Sequence, residues 1–190
     1  GPNAIRNAGP GLTYEPGPGD DLIETTNAGD LYVYRGGDGH DTIVENDLFT
    51  YTDFDAPVPD VLEFPDFQPG NLVASRDGDD LILRVDTASV SGLLAGSVRL
   101  KGPFAVEDGD DGIVETLRFS DGTEVPLRSL LAELVSAAAT PLDDLIPGSA
   151  GADEVPASTG DDIIVGRAGD DTYRYVRGDG DKRIVDIGDN

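Results

Sequence analysis

The sequence predicts a mainly β fold, in which stacked short strands and glycine-rich turns flank a small antiparallel β region carrying one short helix. Three observations predict it. A segment near the start recurs near the end without a gap. Within each copy, glycine and aspartate return about every nine residues. Between the copies, apolar and polar residues alternate, with tight-turn dipeptides between the runs.

The repeat sets the organisation. TTNAGDLYVYRGGDGHDTIVE, residues 25–45, aligns with GRAGDDTYRYVRGDGDKRIVD, residues 166–186, at a constant offset of 141. Asp21 then matches Asp162, Asp30 matches Asp171 and Ile43 matches Ile184. The chain is expected to be one full period and the start of the next, cut from a longer tandem array. The organisation predicted is a first repeat block over 1–59, a β region over 60–140 and a second block over 141–190.

The first block carries Asp21, Asp30 and Asp41, spaced by 9 and 11 residues, and the second carries Asp153, Asp162 and Asp171, spaced by 9 and 9. Each Asp precedes a short β-prone run such as Leu22-Ile23, Leu31-Tyr32-Val33-Tyr34, Thr42-Ile43-Val44 or Ile163-Ile164-Val165. Glycines precede the Asp residues: Gly19 before Asp21, Gly36 before Asp38 and Asp41, and Gly151, Gly160 and Gly169 before the three of the second block. Turn and short strand therefore alternate. If each unit makes half a coil, units two apart stack, which pairs Asp21 with Asp41 and Asp153 with Asp171.

In the middle region, Leu81, Leu83 and Val85 alternate with Ile82 and Arg84, and Val98 and Leu100 alternate with Arg99 and Lys101. Ile113, Glu115, Leu117 and Phe119 share a face, and Asp77-Gly78 and Asp121-Gly122 supply hairpin turns. Pro126 opens a helix whose apolar stripe is Leu127, Leu130, Leu131, Leu134 and Val135.

Charge narrows the function. The chain holds 38 Asp and Glu against 13 Lys and Arg, a net charge of −25, with no Cys and a single histidine, His40. A disulfide framework, a Cys/His zinc site and a thiol nucleophile are excluded. Nucleic acid and anionic lipid are repelled, no apolar run is long enough to span a membrane, and cations are the expected partners. Uncompensated negative charge opposes compaction, so a source of positive charge is needed for the chain to fold.

Glycine turns supply that opportunity. Only glycine adopts positive φ cheaply, so alternate glycines let backbone carbonyls point inward beside an Asp carboxylate. Calcium takes six to eight oxygens, more than one loop offers, and stacked turns can share an ion. The candidate metal residues are therefore Gly19, Asp21, Asp30, Gly36, Asp38, Asp41, Gly151, Asp153, Gly160, Asp162, Gly169 and Asp171. Lys182 stands where the first block has Asp41 and offers donors only. The site that Asp162 would share with it is expected to be lost or replaced by a Lys182 to Asp162 ion pair, with Asp179 or Asp181 as alternative carboxylates.

GGDGHDTIV, residues 36–44, resembles the nonapeptide of the RTX (haemolysin-type) calcium-binding repeats at every defined position, and the other units are degenerate versions of it. The stretches 61–85 and 115–134 look like the haemolysin-type calcium-binding related domain that sits beside such repeats. The resemblance implies a parallel β-roll that holds Ca2+ between successive turns, folds on meeting extracellular calcium, and leaves the cell by type I secretion. It implies a structural module of a large secreted or cell-surface bacterial protein, with neighbouring tandem repeats as partners. An alternative is a calcium-dependent adhesin or glycan-binding module, facing extracellular polysaccharide or a cell surface.

An enzyme is not expected. Glu24, Glu45, Glu63 and Glu115 could offer a catalytic carboxylate pair, but nothing in the sequence brings two together, and solvated surface is their expected place. Asp80 and Asp111 are expected in solvated turns. Tyr32 and Tyr173 are expected in the core, with an aromatic platform of Tyr32, Tyr34, Tyr173 and Tyr175 as the alternative. His40 is expected to be exposed, and Arg35 and Arg177 to offset carboxylate repulsion.

Overall fold

The computed structural model describes residues 1–6, 11–26, 29–45, 58–86, 88, 95–106 and 113–186. It is mainly β, and the chain divides into two compact units. The first comprises residues 1–103 and 111–127, and the second comprises 104–110 and 128–190.

The first unit begins with six short strands: β1 (Ala4–Arg6), β2 (Thr13–Tyr14), β3 (Leu22–Thr25), β4 (Leu31–Val33), β5 (His40–Glu45) and β6 (Val61–Phe64). They alternate between two sheets. β1, β3 and β5 are parallel neighbours in one, and β2, β4 and β6 are parallel neighbours in the other. Leu22 sits opposite Thr42 and Ile23 opposite Ile43, so matching repeat positions stack. The alternation within each strand does the sorting: Ile23, Thr25, Ile43 and Tyr32 are buried, while Leu22, Glu24 and Thr42 are less so. Thr25 on β3 and Tyr32 on β4 join the two sheets through a 2.6 Å hydroxyl contact.

The chain continues through β7 (Leu72–Asp77), β8 (Asp80–Val85), β9 (Ser97–Leu100), β10 (Thr116–Phe119) and β11 (Glu124–Pro126). The expected hairpins form: β7 and β8 pair antiparallel about Asp77-Gly78, β8 and β9 pair antiparallel, and β10 returns as β11 about Asp121-Gly122. The antiparallel region is nevertheless not a sheet of its own. β9 pairs parallel with β5 and β10 pairs parallel with β6, giving sheet orders β1-β3-β5-β9-β8-β7 and β11-β10-β6-β4-β2. The physical reason is the open edge. β5 and β6 would otherwise leave rows of amides and carbonyls unpaired, and the next strands satisfy them. Leu62, Phe64, Phe67, Leu81, Val98, Leu100 and Leu117 fill the interior. The Phe64 and Phe119 rings stack 5.5 Å apart.

In the second unit the helix α1 (Leu127–Ala137), which starts at the unit boundary, forms as its stripe predicts, with Leu127, Leu131 and Val135 buried and Glu133 exposed. Then β12 (Leu145–Pro147), β13 (Glu154–Val155), β14 (Asp162–Arg167), β15 (Thr172–Tyr173) and β16 (Lys182–Asp186) alternate again. β12, β14 and β16 pair in parallel, as do β13 and β15.

Candidate metal site

The turn before β5 is built by its own side chains. Asp38 accepts a 2.7 Å hydrogen bond at Oδ2 from the Arg35 amide and donates its own amide to the Arg35 carbonyl. The Tyr34 hydroxyl donates to the Gly39 carbonyl at 2.8 Å. The corresponding turn of the second block has the same bonds. Asp179 Oδ2 accepts from the Val176 amide at 2.7 Å, and the Tyr175 hydroxyl reaches the Gly180 carbonyl at 3.3 Å. Below each turn an aspartate accepts at Oδ1, Asp20 from the His40 amide and Asp161 from the Asp181 amide. Gly39 and Gly180 have φ of 101° and 85°, and a Cβ on either would collide with the carbonyl oxygen of Gly19 or Gly160. Only glycine allows successive turns to approach this closely.

The phased aspartates form ladders. Asp41 Oδ1 accepts from the Asp21 amide at 3.0 Å, and Asp21 Oδ1 from the Asn3 amide at 2.5 Å. Asp30 Oδ1 accepts from the Leu12 amide at 2.8 Å. In the second block Asp162 Oδ1 accepts from the Asp144 amide and Asp171 Oδ1 from the Asp153 amide, both at 3.0 Å. One oxygen of each carboxylate thus satisfies the amide that opens a half-coil in the preceding turn. The stacked pairs Asp21 with Asp41 and Asp153 with Asp171 lie 20 and 18 residues apart, as the half-coil spacing requires.

The second oxygen differs from rung to rung. Asp21 is 2% exposed, and its Oδ2 is buried with no hydrogen-bond partner among the described residues. Its counterpart, Asp162 Oδ2, accepts from the Ser158 hydroxyl and lies 2.9 Å from Lys182 Nζ. The Tyr173 hydroxyl donates to Asp171 Oδ2, whereas Asp153 is held by the amide and hydroxyl of Ser149. Gly36 donates its amide to Asp66, Gly19 donates to the Asp38 carbonyl, and Gly151 packs beneath Gly169. Among the described residues no three acidic or imidazole side chains converge on one point. The oxygens gathered at these turns are single carboxylates and main-chain carbonyls.

The electrostatics follow. Burial pushes the Asp41 carboxyl up to about 7, with the charges of Asp21, Asp38 and Asp20 adding to it and the Asp21 amide opposing. Burial, with Asp30 alongside, raises Asp60 to about 6. Burial also raises Asp171. At Asp162, burial is outweighed by the Lys182 ammonium and by the Asp144 and Ser158 donors, and the carboxyl falls below its ordinary value. The first block is short of positive charge where the second supplies its own.

Several residues sit elsewhere than their sequence context implies. Asp80 is not in a solvated turn: it is 7% exposed and held by Arg99 at 2.7 Å and Lys101 at 2.6 Å. Its hairpin brings β9 alongside, and Arg99 on that strand and Lys101 just after it offset the cost of burial. Asp111 lies outside the described residues. Glu45 is not solvated either. Its carboxyl oxygens are buried, and burial with the charges of Asp60 and Glu115 raises it well above its ordinary value. Glu24 pairs with Arg6, and Glu63 lies 3.5 Å from Arg118. Tyr32 and Tyr34 are buried, Tyr173 is half-buried and Tyr175 is 62% exposed, so Tyr32 and Tyr34 offer no exposed aromatic face. His40 is exposed, and Arg35 lies 3.6 Å from Glu15.

Asp60 escaped the sequence reading and Glu115 was expected at solvated surface, although both extend the ladder that runs through Asp30. Asp60 Oδ1 accepts from the Asp30 amide, and Glu115 Oε2 from the Asp60 amide, each at 2.5 Å. A signal existed, since Asp60 precedes Val61-Leu62 as Asp21 precedes Leu22-Ile23. The intervening 30 residues hid the phase. Asp144, nine before Asp153, was visible in the same way. No protein-family model matches the chain, and no curated protein matches it.

Proposed function

We propose that this chain is a calcium-binding structural module of a large secreted bacterial repeat protein, folding into a parallel β-roll as it binds extracellular Ca2+. The observation that carries the reading is the Asp21 carboxylate. One oxygen bonds the Asn3 amide, and the other is buried without a hydrogen-bond partner among the described residues. A buried ionised oxygen is costly unless a cation meets it. The second repeat supports this, because the matching oxygen of Asp162 faces a cation already in the chain, Lys182.

The residues fit a hard cation. Asp21 Oδ2, the carbonyls of Gly19 and Asp38 and the carboxylate of Asp41 would hold it, with Asp30, Asp153, Asp171 and their glycine turns offering further places. The cation would neutralise charge that otherwise holds successive turns apart. Alternation of short parallel strands between two sheets supports the β-roll, since that connectivity stacks each turn on the one two strands earlier. At millimolar Ca2+, a site with a dissociation constant of about 10⁻⁴ M contributes roughly 1.4 kcal/mol, and several sites contribute several-fold more. At cytoplasmic calcium the same sites are empty, which suits a chain exported loose by type I secretion and folded outside.

The test is a Ca2+ titration of metal-stripped protein followed by far-UV circular dichroism, with Mg2+ as control. A rise in strand signal between about 0.1 and 1 mM Ca2+ that Mg2+ does not reproduce is expected. A spectrum indifferent to Ca2+ refutes the reading. A glycan-binding or adhesive role has one observation in its favour, the exposed Tyr175 beside the exposed Val176. A glycan array on calcium-loaded protein, with Tyr175→Ala as control, tests it.

A further inference from the structure

We infer that Lys182 is a built-in cation, its ammonium occupying a metal position of the second block. The inference rests on the calcium reading above and specifies one of its sites. Lys182 Nζ donates to the Gly160 carbonyl at 2.7 Å and to the Asp179 carbonyl at 2.5 Å, and lies 2.9 Å from Asp162 Oδ2. Three protons meet three oxygens, which exhausts what an ammonium can donate. The Lys182 side chain is 9% exposed and that of Asp162 is fully buried.

An ordinary ion pair needs only the carboxylate. Here two of the three oxygens are main-chain carbonyls from two successive turns, and the turns themselves do not depend on lysine. The first block builds the same turns around Asp38 and Asp20 with Asp41 at the matching position. The oxygen cage therefore belongs to the repeat, and the lysine is a tenant within it. Gly160, Asp162 and Asp179 correspond to Gly19, Asp21 and Asp38, and Asp21 Oδ2 is buried with no hydrogen-bond partner among the described residues.

The exchange has a functional consequence. A diffusible ion leaves when its concentration falls, whereas a tethered ammonium stays at any metal concentration and carries one charge instead of two. The rung from Asp144 through Asp162 to Lys182 is thus closed without metal. The rung from Asp153 to Asp171 has no lysine in it, and its carboxylates are met instead by Ser149 and by the Tyr173 hydroxyl. Each copy of the repeat that carries this lysine keeps a metal-independent clamp from which ordering can spread as calcium rises.

The test uses the full chain. In chelator, Lys182→Met is expected to speed hydrogen exchange at the Asp144, Asp162 and Ile163 amides by at least about tenfold while leaving the Asp21 and Thr42 amides unchanged. With Ca2+ added, Lys182→Asp is expected to bind one more ion per chain than wild type by native mass spectrometry. Unchanged exchange in Lys182→Met overturns the inference, and this arm stands even if Lys182→Asp fails to fold. Wild type that binds Ca2+ while Lys182→Asp gains no ion overturns the Lys182 assignment alone. Wild type that takes up no Ca2+ removes the calcium reading and with it the identification of the cage as a metal position.

Discussion

The turn before β5 and the turn before β16 close with the same hydrogen bonds, yet they solve the same electrostatic problem in opposite ways. In the first block, Asp41 adds a carboxylate to a neighbourhood that already holds Asp20, Asp21 and Asp38, and its proton affinity rises. In the second, Lys182 supplies an ammonium to Asp162, whose proton affinity falls. The backbone framework is set by the glycines and the turn-closing aspartates, and it tolerates either charge at that one position. What the position decides is the sign of the charge set beside the ladder, a carboxylate at Asp41 and an ammonium at Lys182.

The largest expected effect lies on the lysine side. Asp162→Ala strands a buried ammonium and removes the acceptor for the Asp144 amide, and should cost about 3 to 5 kcal/mol, measured by denaturant unfolding in chelator. A loss below 1 kcal/mol would mean the pair is solvated and the contrast between blocks is false.

Gly39→Ala and Gly180→Ala come next. Both force a Cβ onto a carbonyl oxygen of the preceding turn, and each should cost about 1 to 3 kcal/mol with or without calcium. Thermal melts of the two variants should agree with each other. A large disagreement would break the claim that the two turns share one framework.

Calcium should then separate the ladder aspartates of both blocks from the helix surface. Asp41→Ala or Asp171→Ala is expected to raise the Ca2+ midpoint of the circular dichroism transition about tenfold, a loss of about 1.4 kcal/mol. Glu133→Ala on the exposed face of α1 should leave it in place, and equal shifts from all three would sink the assignment of the metal residues.

Protons should act with opposite sign on the two. Asp41 holds its proton more tightly when folded, so the metal-free first block gains stability as pH falls from about 7. The gain between pH 7 and pH 6 is about 1 kcal/mol. The Asp162 to Lys182 pair is fully present above the ordinary carboxylate range, about 3.9, and is lost only as pH falls through the lowered value. Asp171, raised by burial, adds a contribution of the first block's sign to the second. Hydrogen exchange in chelator at pH 6 and pH 7, read at the Asp21 and Asp162 amides, distinguishes them. A parallel response at both amides would refute the difference. The smallest expected effect belongs to the surface pair of Arg174 with Glu154, both about 60% exposed. Glu154→Ala should change stability by less than about 1 kcal/mol in the same denaturant assay.

The local features were legible in the chain because their causes are local. Glycine at positive φ, an Asp that closes its own turn, the alternation of Ile23 and Glu24, and the stripe of Leu127, Leu131 and Val135 all depend on neighbours within a few residues. The offset of 141 carries further, since it sets Lys182 at the position of Asp41 and so opposite Asp162. The partnerships of the middle region were not legible. Alternation says which side chains turn inward but is silent on which edge a strand will join. Parallel pairing of β9 with β5 and of β10 with β6 is chosen by unpaired backbone groups tens of residues away.

The sequence by itself determined a mainly β chain of phased turns and short strands, its repeat period and its helix. Only the tertiary structure decided that the strands after the first block extend its two sheets, that Asp60 and Glu115 continue a ladder, and that Asp80 and the Glu45 carboxyl oxygens are buried. It alone placed the Lys182 ammonium against two carbonyls as well as a carboxylate. Turn and strand propensities act over a few bonds, whereas edge satisfaction and charge burial depend on which distant segments meet.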